Sequence, residues 1–545
     1  MKLLVLLFLG ICGSLFAGKV ESLLFLGDPQ EALCEVRSEL QKNPDDKELR
    51  RLELLTLAKL GDISSLLKAF KSYPEREDAK LLEEISWAIL SKGAKSHSPI
   101  IRQEAFLGAF MTNDARGIPL CLEAMDDPNI EVRSFAMHYA SALRDELLIQ
   151  KALYALADDT SKKIRLQAIE TVGRMRSEKA KDPLTKILEL QNSDVEEKMA
   201  ASFALSHITK EKDAKKIVAL ATSERAFSRL SACELVLNNY DRENGPLLFP
   251  LINDSIFDVR MAAIQCIGIL GLKPPQEAIE KLLLHPDIKT KILANWLLLD
   301  LDKERALHAF QQFLLLDDRE MRLFAAACMS HADIHVQSND PLVMLNLAVG
   351  KIWQRRDVQN AANTILEAMN EPIRLSRQKI GLISVICPST SHHVSGVARV
   401  PETEDLMLRL ELYSMVATCG IDIQKPLRNF LKERTWGISG QSALLLMQEN
   451  PLFIEELSKL LKDESQEIAL QAAFILASYA QDEEALGILM SAYPKVSRQM
   501  KEYILFAMAS IGAKSALSFL VEVLNEPFET LRISAARGIL LSLNK

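Results

Sequence analysis

Aromatic residues make up only 6% of this 545-residue chain. Alternating apolar and polar runs, which a half-buried strand needs, are scarce, and Leu and Ala prevail. A chain this long without strands or many aromatics is expected to be a stack of thin, similar helical layers. A basic excess is also missing: the formal net charge is −8 and the pI is near 5.8. That argues against a general nucleic-acid binder, although it leaves room for a local basic patch. The eight cysteines form no Cys-x-x-Cys pair, so the usual zinc and dithiol redox motifs are absent. There is no Walker loop, no His-Glu-x-x-His and no Gly-rich dinucleotide fingerprint. The stretch GISGQSA, residues 437–443, fails as a nucleophile elbow because Gln441 stands where the second Gly belongs and no strand precedes it. Taken together, the absences argue against an enzyme, and no catalytic residue, cofactor or metal is assigned.

One long apolar run is present, and it stands first. Residues 1–17, MKLLVLLFLGICGSLFA, have a minimal basic start at Lys2, an apolar run from Leu3 to Phe16 and a small residue, Ala17, for cleavage. This is the pattern of a secretory signal. The run is too short to cross a bilayer of about 30 Å as a helix. A lipid-anchored reading would use Cys12, but Ile11 before it is bulky where such a signal wants a small residue. No later segment resembles a membrane span. The expectation is a soluble exported protein of the periplasm or cell envelope. Cleavage would leave seven cysteines, mostly at helix-spaced apolar positions where a small core residue fits, with room for one disulfide.

The strongest positive signal is self-similarity. DDPNIEVRSFAMHYA, residues 126–140, reappears in spirit as NDSIFDVRMAAIQCI, with Val132-Arg133 and Ala136 answered by Val259-Arg260 and Ala263. With the arginine as a ruler, the matching positions are Arg102, Arg133, Arg165, Lys198, Arg229, Arg260, Lys291 and Arg322, spaced 31 to 33 apart. After an interval of 55 residues the ruler resumes at Arg377, Arg409, Ser439, Ala469, Lys501 and Arg532, spaced 30 to 32. Of these fourteen positions twelve are Arg or Lys, and ten have Ala three residues on, so the period is a property of the chain rather than of two copies. Each period holds two helical stretches; around Arg165 they are ELLIQKALYALA and IRLQAIETVGRM, joined by DDTSKK. The acids and hydroxyls of the turn suit a helix N-cap. Neither helix buries its apolar face alone, but stacked pairs do, which makes a solenoid.

The turn acid, the Val-Arg pair and the Ala resemble the HEAT repeat, particularly the short bacterial form also found in phycobilin lyases. The likeness runs over roughly residues 95–545. It implies an all-α, right-handed α-solenoid of about 14–16 stacked helix pairs. Residues 18–94 instead resemble tetratricopeptide hairpins through the NPDD turn and LAKLGD. The expected organisation is a signal at 1–17, hairpins at 18–94, regular repeats at 95–336, irregular repeats with a long loop at 337–404, and further repeats at 405–545.

A helical wheel at about 100° per residue puts the ruler arginine inside the apolar arc. A cation there is expected at the core edge, held by the turn acid or by free carbonyls at a neighbouring helix end. The arginine ladder is therefore read as structural. Arg133, Arg165 and Arg260 are expected to be more buried than Gln167 or Glu170. The opposite arc, two, five and nine residues after the ruler, is where the HEAT resemblance puts the concave groove. It reads Phe135 and His138; Gln167, Glu170 and Arg174; Phe203 and His207; Glu234 and Asn238; Gln265 and Ile269; Leu293, Trp296 and Asp300; Phe324 and His331. Polar residues are expected on such a face, yet Ile269, Leu293, Trp296 and Phe324 form an apolar run across three periods. These four are the candidate partner-binding residues.

The loop CPSTSHHVSGVARVPETED, residues 387–405, is long for a repeat array. Its adjacent His392 and His393 lack a third ligand and read as solvated. The leading reading is an exported, non-enzymatic α-solenoid scaffold that binds a protein or peptide on its concave face, without nucleic acid. A modifying enzyme of the bilin-lyase kind, and a purely structural envelope scaffold, are the alternatives.

Overall fold

A computed structural model describes residues 19–190, 194–209, 214–329, 338–371, 374–375, 401–433, 451–479 and 482–544. The signal-like segment 1–17, most of the 387–405 loop, and ruler positions Arg377 and Ser439 lie outside the described residues. The fold is all-α, an α-solenoid array of helix pairs, and no strand occurs among the described residues. Nor is any described helix long and apolar enough to cross a membrane.

The ruler marks one structural position. Arg102 is the fourth residue of the helix Pro99–Thr112, Arg133 of Ile130–Leu143, Arg165 of Lys162–Arg174 and Lys198 of Val195–Ile208. Arg229, Arg260, Lys291 and Arg322 are fourth in Ala226–Asn238, Phe257–Ile269, Ile288–Leu298 and Arg319–Cys328. Ala469, Lys501 and Arg532 are fourth in Gln466–Tyr479, Arg498–Ile511 and Glu529–Leu543. Arg409 departs from this: it is the ninth residue of the longer helix Pro401–Thr418, not in the first turn. In the 55-residue gap of the ruler, Pro341–Trp353 is buried on most sides, as the second helices are, and Val358–Asn370 follows it.

Seven ruler arginines do the same work. Nη1 of Arg102 donates to the carbonyls of Ser96 and His97, at 2.9 and 3.1 Å, five and six residues earlier in its own turn. Arg133, Arg165, Arg229, Arg260, Arg322 and Arg532 repeat the pair of bonds on their own turns. The end of the first helix leaves carbonyls without intrahelical partners, and a guanidinium satisfies two at once. Arg409 keeps the role from its different register, donating to the Met369 carbonyl at 2.5 Å near the end of Val358–Asn370.

The turn acid is the other half of the device. Asp127 Oδ1 accepts from the Asn129 amide at 2.8 Å, which closes the turn before the Arg133 helix. The same carboxylate takes two bonds from Arg102 of the preceding repeat, 2.6 and 2.7 Å long, while its backbone carbonyl takes Arg133. Asp254 serves Arg229, Ile256 and Arg260 in the same three ways. Where the acid is missing, Arg165 reaches Glu197 and Arg260 reaches the Thr290 hydroxyl of the next repeat. The valines 132 and 259 are fully buried, and so are Ala136, Ala168, Ala232, Ala263, Ala294 and Ala325 three residues after the ruler.

The chain folds as two compact units, one of residues 1–139 with 457–545 and one of residues 140–456. The first is built from both ends of the chain. Its last helix, Glu529–Leu543, packs on Arg498–Ile511, as a second helix packs on its predecessor, and also on Ala79–Ala94 and Pro99–Thr112. Arg537 is 1% exposed there, with Glu104 at 3.4 Å and the Phe506 ring centroid at 5.2 Å. Gly93 is the seat for Ile533: a Cβ at Gly93 would lie 2.7 Å from Ile533 Cδ1. Arg76 adds an ion pair to Glu522 at 2.5 Å. The helices Pro29–Lys42, Lys47–Leu60 and Ile63–Lys71 precede these, each started by an aspartate cap, at Asp28, Asp46 and Asp62.

Candidate partner-binding site

In the second unit each second helix packs on the second helices of the repeats before and after it: Lys162–Arg174 on Val195–Ile208, that on Ala226–Asn238, and so on to Arg319–Cys328. This closes more of the helix surface than the wheel anticipates. Two residues after the ruler, Gln167 is buried and Leu293 is only 2% exposed. Gln167 is thus more buried than Arg165, the reverse of the sequence expectation. Glu170 is half-closed as well; burial holds its carboxyl above the usual carboxylate range, against the pull of Arg174, which pairs with it. Gln167 and Leu293 are closed off at this position, whereas Phe324, in the same register after Arg322, is half-buried; Leu293 belongs to the core and leaves the candidate surface.

A narrower stripe stays open, five and nine residues after the ruler. Along the second unit it reads Glu170 and Arg174, Phe203 and His207, Gln265 and Ile269, then Trp296 and Asp300. Glu234 sits in the same register but is buried. The rings of Phe203 and His207 meet at a tilt with centroids 4.4 Å apart, and His207 Nδ1 lies 3.0 Å from the Phe203 carbonyl. Asn238 donates to the Ser206 hydroxyl at 2.9 Å, tying two repeats together along the stripe.

Ile269, Trp296 and Phe324 remain at the surface in different degrees. Ile269 is 39% exposed. Trp296 and Phe324 are half-buried, with one side packed against the core cluster of Ile264, Ile267 and Leu297. The indole lies on Gly268: a Cβ there would come within 2.3 Å of two ring carbons. Gly268 was not singled out from the sequence. The signal for it was present, since a glycine inside a helix costs about 1 kcal/mol relative to alanine and so usually marks a close approach. Gln265, one helical turn before Ile269, has a buried Oε1 with no hydrogen-bond partner.

Phe135 and His138 fall in the other unit. Phe135 packs with Phe110 and Tyr139, its ring centroid 4.5 Å from Tyr139, while His138 is exposed. His331, His392 and His393 lie outside the described residues. Among the described residues no three His, Cys, Asp or Glu side chains come together as a metal would need. Cys34, Cys121, Cys233, Cys266, Cys328 and Cys419 are free thiols. Burial pushes the Cys328 thiol up to about 12.

Comparison with known proteins agrees with the repeat geometry. The HEAT repeats family matches residues 149–238, the span from the Arg165 unit to the end of the Arg229 helix. No curated protein matches the chain. Among solved structures, UNC-45 from Drosophila melanogaster aligns over 96% of this chain and 88% of that one, at 12% identity and a TM-score of 0.24, too loose a likeness to carry an argument. With the ruler fourth in its helices and the family match in the middle of the array, the chain is a HEAT-like repeat protein.

Proposed function

We propose that the chain is an exported, non-enzymatic scaffold that holds a protein or peptide partner along the open stripe of its second helices, around Ile269 and Trp296, with the half-buried Phe324 of the next repeat. The observation that carries this reading is the seating of Trp296. Its ring is fixed on Gly268 by packing, yet part of it remains open to solvent beside the exposed Ile269. A rigid, partly open aromatic loses little freedom on binding, and such residues anchor interfaces. Export rests on the signal-like residues 1–17.

The test is a pull-down from an envelope extract with the wild type and with Trp296→Ala. A stoichiometric protein retained by the wild type, and held some tens-fold more weakly by the variant at an unchanged melting temperature, supports the reading. A partner held equally by both removes it. A copurified chromophore would point instead to lyase-like chemistry, and retention of peptidoglycan alone to a structural envelope role.

A further inference from the structure

We propose that Arg537, in the unit built from the two chain ends, is a receptor for the C-terminal carboxylate of a partner chain that ends in an apolar residue. Its position is the one that stays open in the other unit, five residues after the ruler. There that position carries Phe203, Gln265 and Trp296; in this unit it carries Leu107, His138 and Phe506. Five residues after Arg532 it carries a guanidinium that is only 1% exposed. The stem is seated beside Gly108, where a Cβ would lie 3.6 Å from that of Arg537. The head lies among stripe residues, 5.2 Å from the Phe506 ring centroid and 3.4 Å from Glu104, which stands two residues after Arg102.

The head is poorly matched. A guanidinium carries five N–H donors. Arg537 spends one, from Nη1, on Glu104 at 3.4 Å, whereas a charge-assisted bond runs at about 2.7–2.9 Å. Nε is buried without an acceptor, and Nη2 makes no hydrogen bond among the described residues. The ruler arginines are used differently, since each gives two bonds to the carbonyls of its own turn. Glu104 does not cancel the charge either. Its side chain is 35% exposed, so water screens it, while the guanidinium is withdrawn from water. Desolvation outweighs Glu104 and holds the guanidinium below its usual value. A buried arginine matched this loosely costs stability, and a side chain of like volume without charge packs as well.

The surroundings select the ligand. A planar carboxylate fits the guanidinium fork through two parallel bonds. A phosphate dianion would bring a second charge against Glu104 with no further cation to answer it. At these stripe positions of the unit the charged side chains are Arg537 and Glu104, with His138 exposed in the repeat beyond. The flanks are aromatic. Tyr503 and Phe506 stand half-buried on the helix before Arg537. Phe135 and Tyr139 are half-buried on the other flank, their rings 4.5 Å apart, and Tyr139 feels the charge of Arg537. A lone guanidinium among aromatic faces suits a carboxylate with an apolar side chain next to it. A chain end offers both on one carbon and carries no further backbone past the site.

The probe is a short fluorescein-labelled peptide ending in Val-Phe with a free carboxylate, titrated with the full chain and read by fluorescence anisotropy. The wild type should bind it roughly tenfold more tightly than the same peptide with an amide end, a comparison that needs no variant. R537M should bind the acid and amide peptides alike. E104Q, which removes the competing carboxylate, should tighten the acid peptide severalfold. Melting curves show that both variants are folded. The proposal is overturned if neither peptide binds the wild type, if acid and amide bind it equally, if folded R537M keeps the preference, or if E104Q weakens the acid peptide. An amide-ended peptide with an internal Asp that binds as tightly would make the ligand a side-chain carboxylate and overturn the chain end as occupant. Inorganic phosphate that displaces the acid peptide at equal concentration would assign the site to a free anion and do the same.

Discussion

Arg229 grips Asp254 across the seam between two repeats with parallel bonds of 2.6 and 2.9 Å, from Nε and Nη2. Both side chains are largely withdrawn from water, and Asp254 also closes its own turn through the Ile256 amide. Removing one partner leaves the other buried and unmatched. Asp254→Ala should therefore destabilise the protein by about 3 kcal/mol, measured by urea unfolding. In a double-mutant cycle with Arg229→Met, the second change should recover part of that loss. Strict additivity would mean that the seam is held by apolar packing alone.

The same group sets the acid limit. Burial pushes the Asp254 carboxyl up, but the Arg229 bonds and the Ile256 amide outweigh it, so it titrates below its ordinary value of 3.8. Asp340 is lowered in the same direction, chiefly by Arg319. A carboxylate whose folded pKa is depressed contributes stability that is complete above its unfolded value and is lost as pH falls through the folded one. The melting temperature should hold from neutrality to about pH 4.5 and drop below about pH 4. Asp254→Asn should be less stable at pH 7 and lose less on acidification. A decline centred near pH 6 would assign the dependence to histidine instead.

Gly268→Ala tests the seat of the indole. The added methyl group occupies the place of two ring carbons of Trp296, so the ring must swing out or the helices must part. The cost is expected at about 1–3 kcal/mol. Since the chain has four tryptophans, the variant's fluorescence should be compared in a Trp296→Phe background, where the substitution should leave the remaining emission unmoved. Emission that shifts equally in both backgrounds would mean that the ring is not the group displaced.

The buried Arg537 makes a different prediction. Desolvation holds its guanidinium below its usual value, and Glu104 is its ion-pair partner. Arg537→Ala should lower stability by about 3–5 kcal/mol, whereas Arg537→Met, similar in volume and without charge, should recover most of the loss. Equal damage from both would show that the cation itself, through Glu104 and the Phe506 ring, holds the last helix in place.

The architecture was readable because the ruler records a backbone need that recurs along the array. In seven repeats the carbonyls stranded where the first helix ends are met by a guanidinium at a fixed distance, and the sequence writes that distance as a period. Arg409 broke the register and kept the chemistry, reaching the Met369 carbonyl from deeper in a longer helix. The surface was less legible. A wheel treats one helix as facing a core on one side, but a second helix in a stack has neighbours on both flanks. Leu293 and Gln167 were closed off by those flanks, while Trp296 and Ile269 were not. Arg537 went unnoticed because the wheel was followed only through the regular repeats, to Phe324 and His331. Five residues after Arg532 the same register holds it.

The packing of Glu529–Leu543 on Ala79–Ala94 has a consequence in time. Arg537 and Glu104 are 433 residues apart in sequence. The ribosome therefore finishes the N-terminal helices long before their partner exists, and the seat at Gly93 must wait uncovered for Ile533. Interior repeats can settle on their neighbours as they emerge, but this contact waits until Glu529–Leu543 has been made, and its closure carries the entropy of a very long loop. The slowest folding phase, and the moment of greatest exposure to proteases and chaperones, belongs to the junction of the two ends.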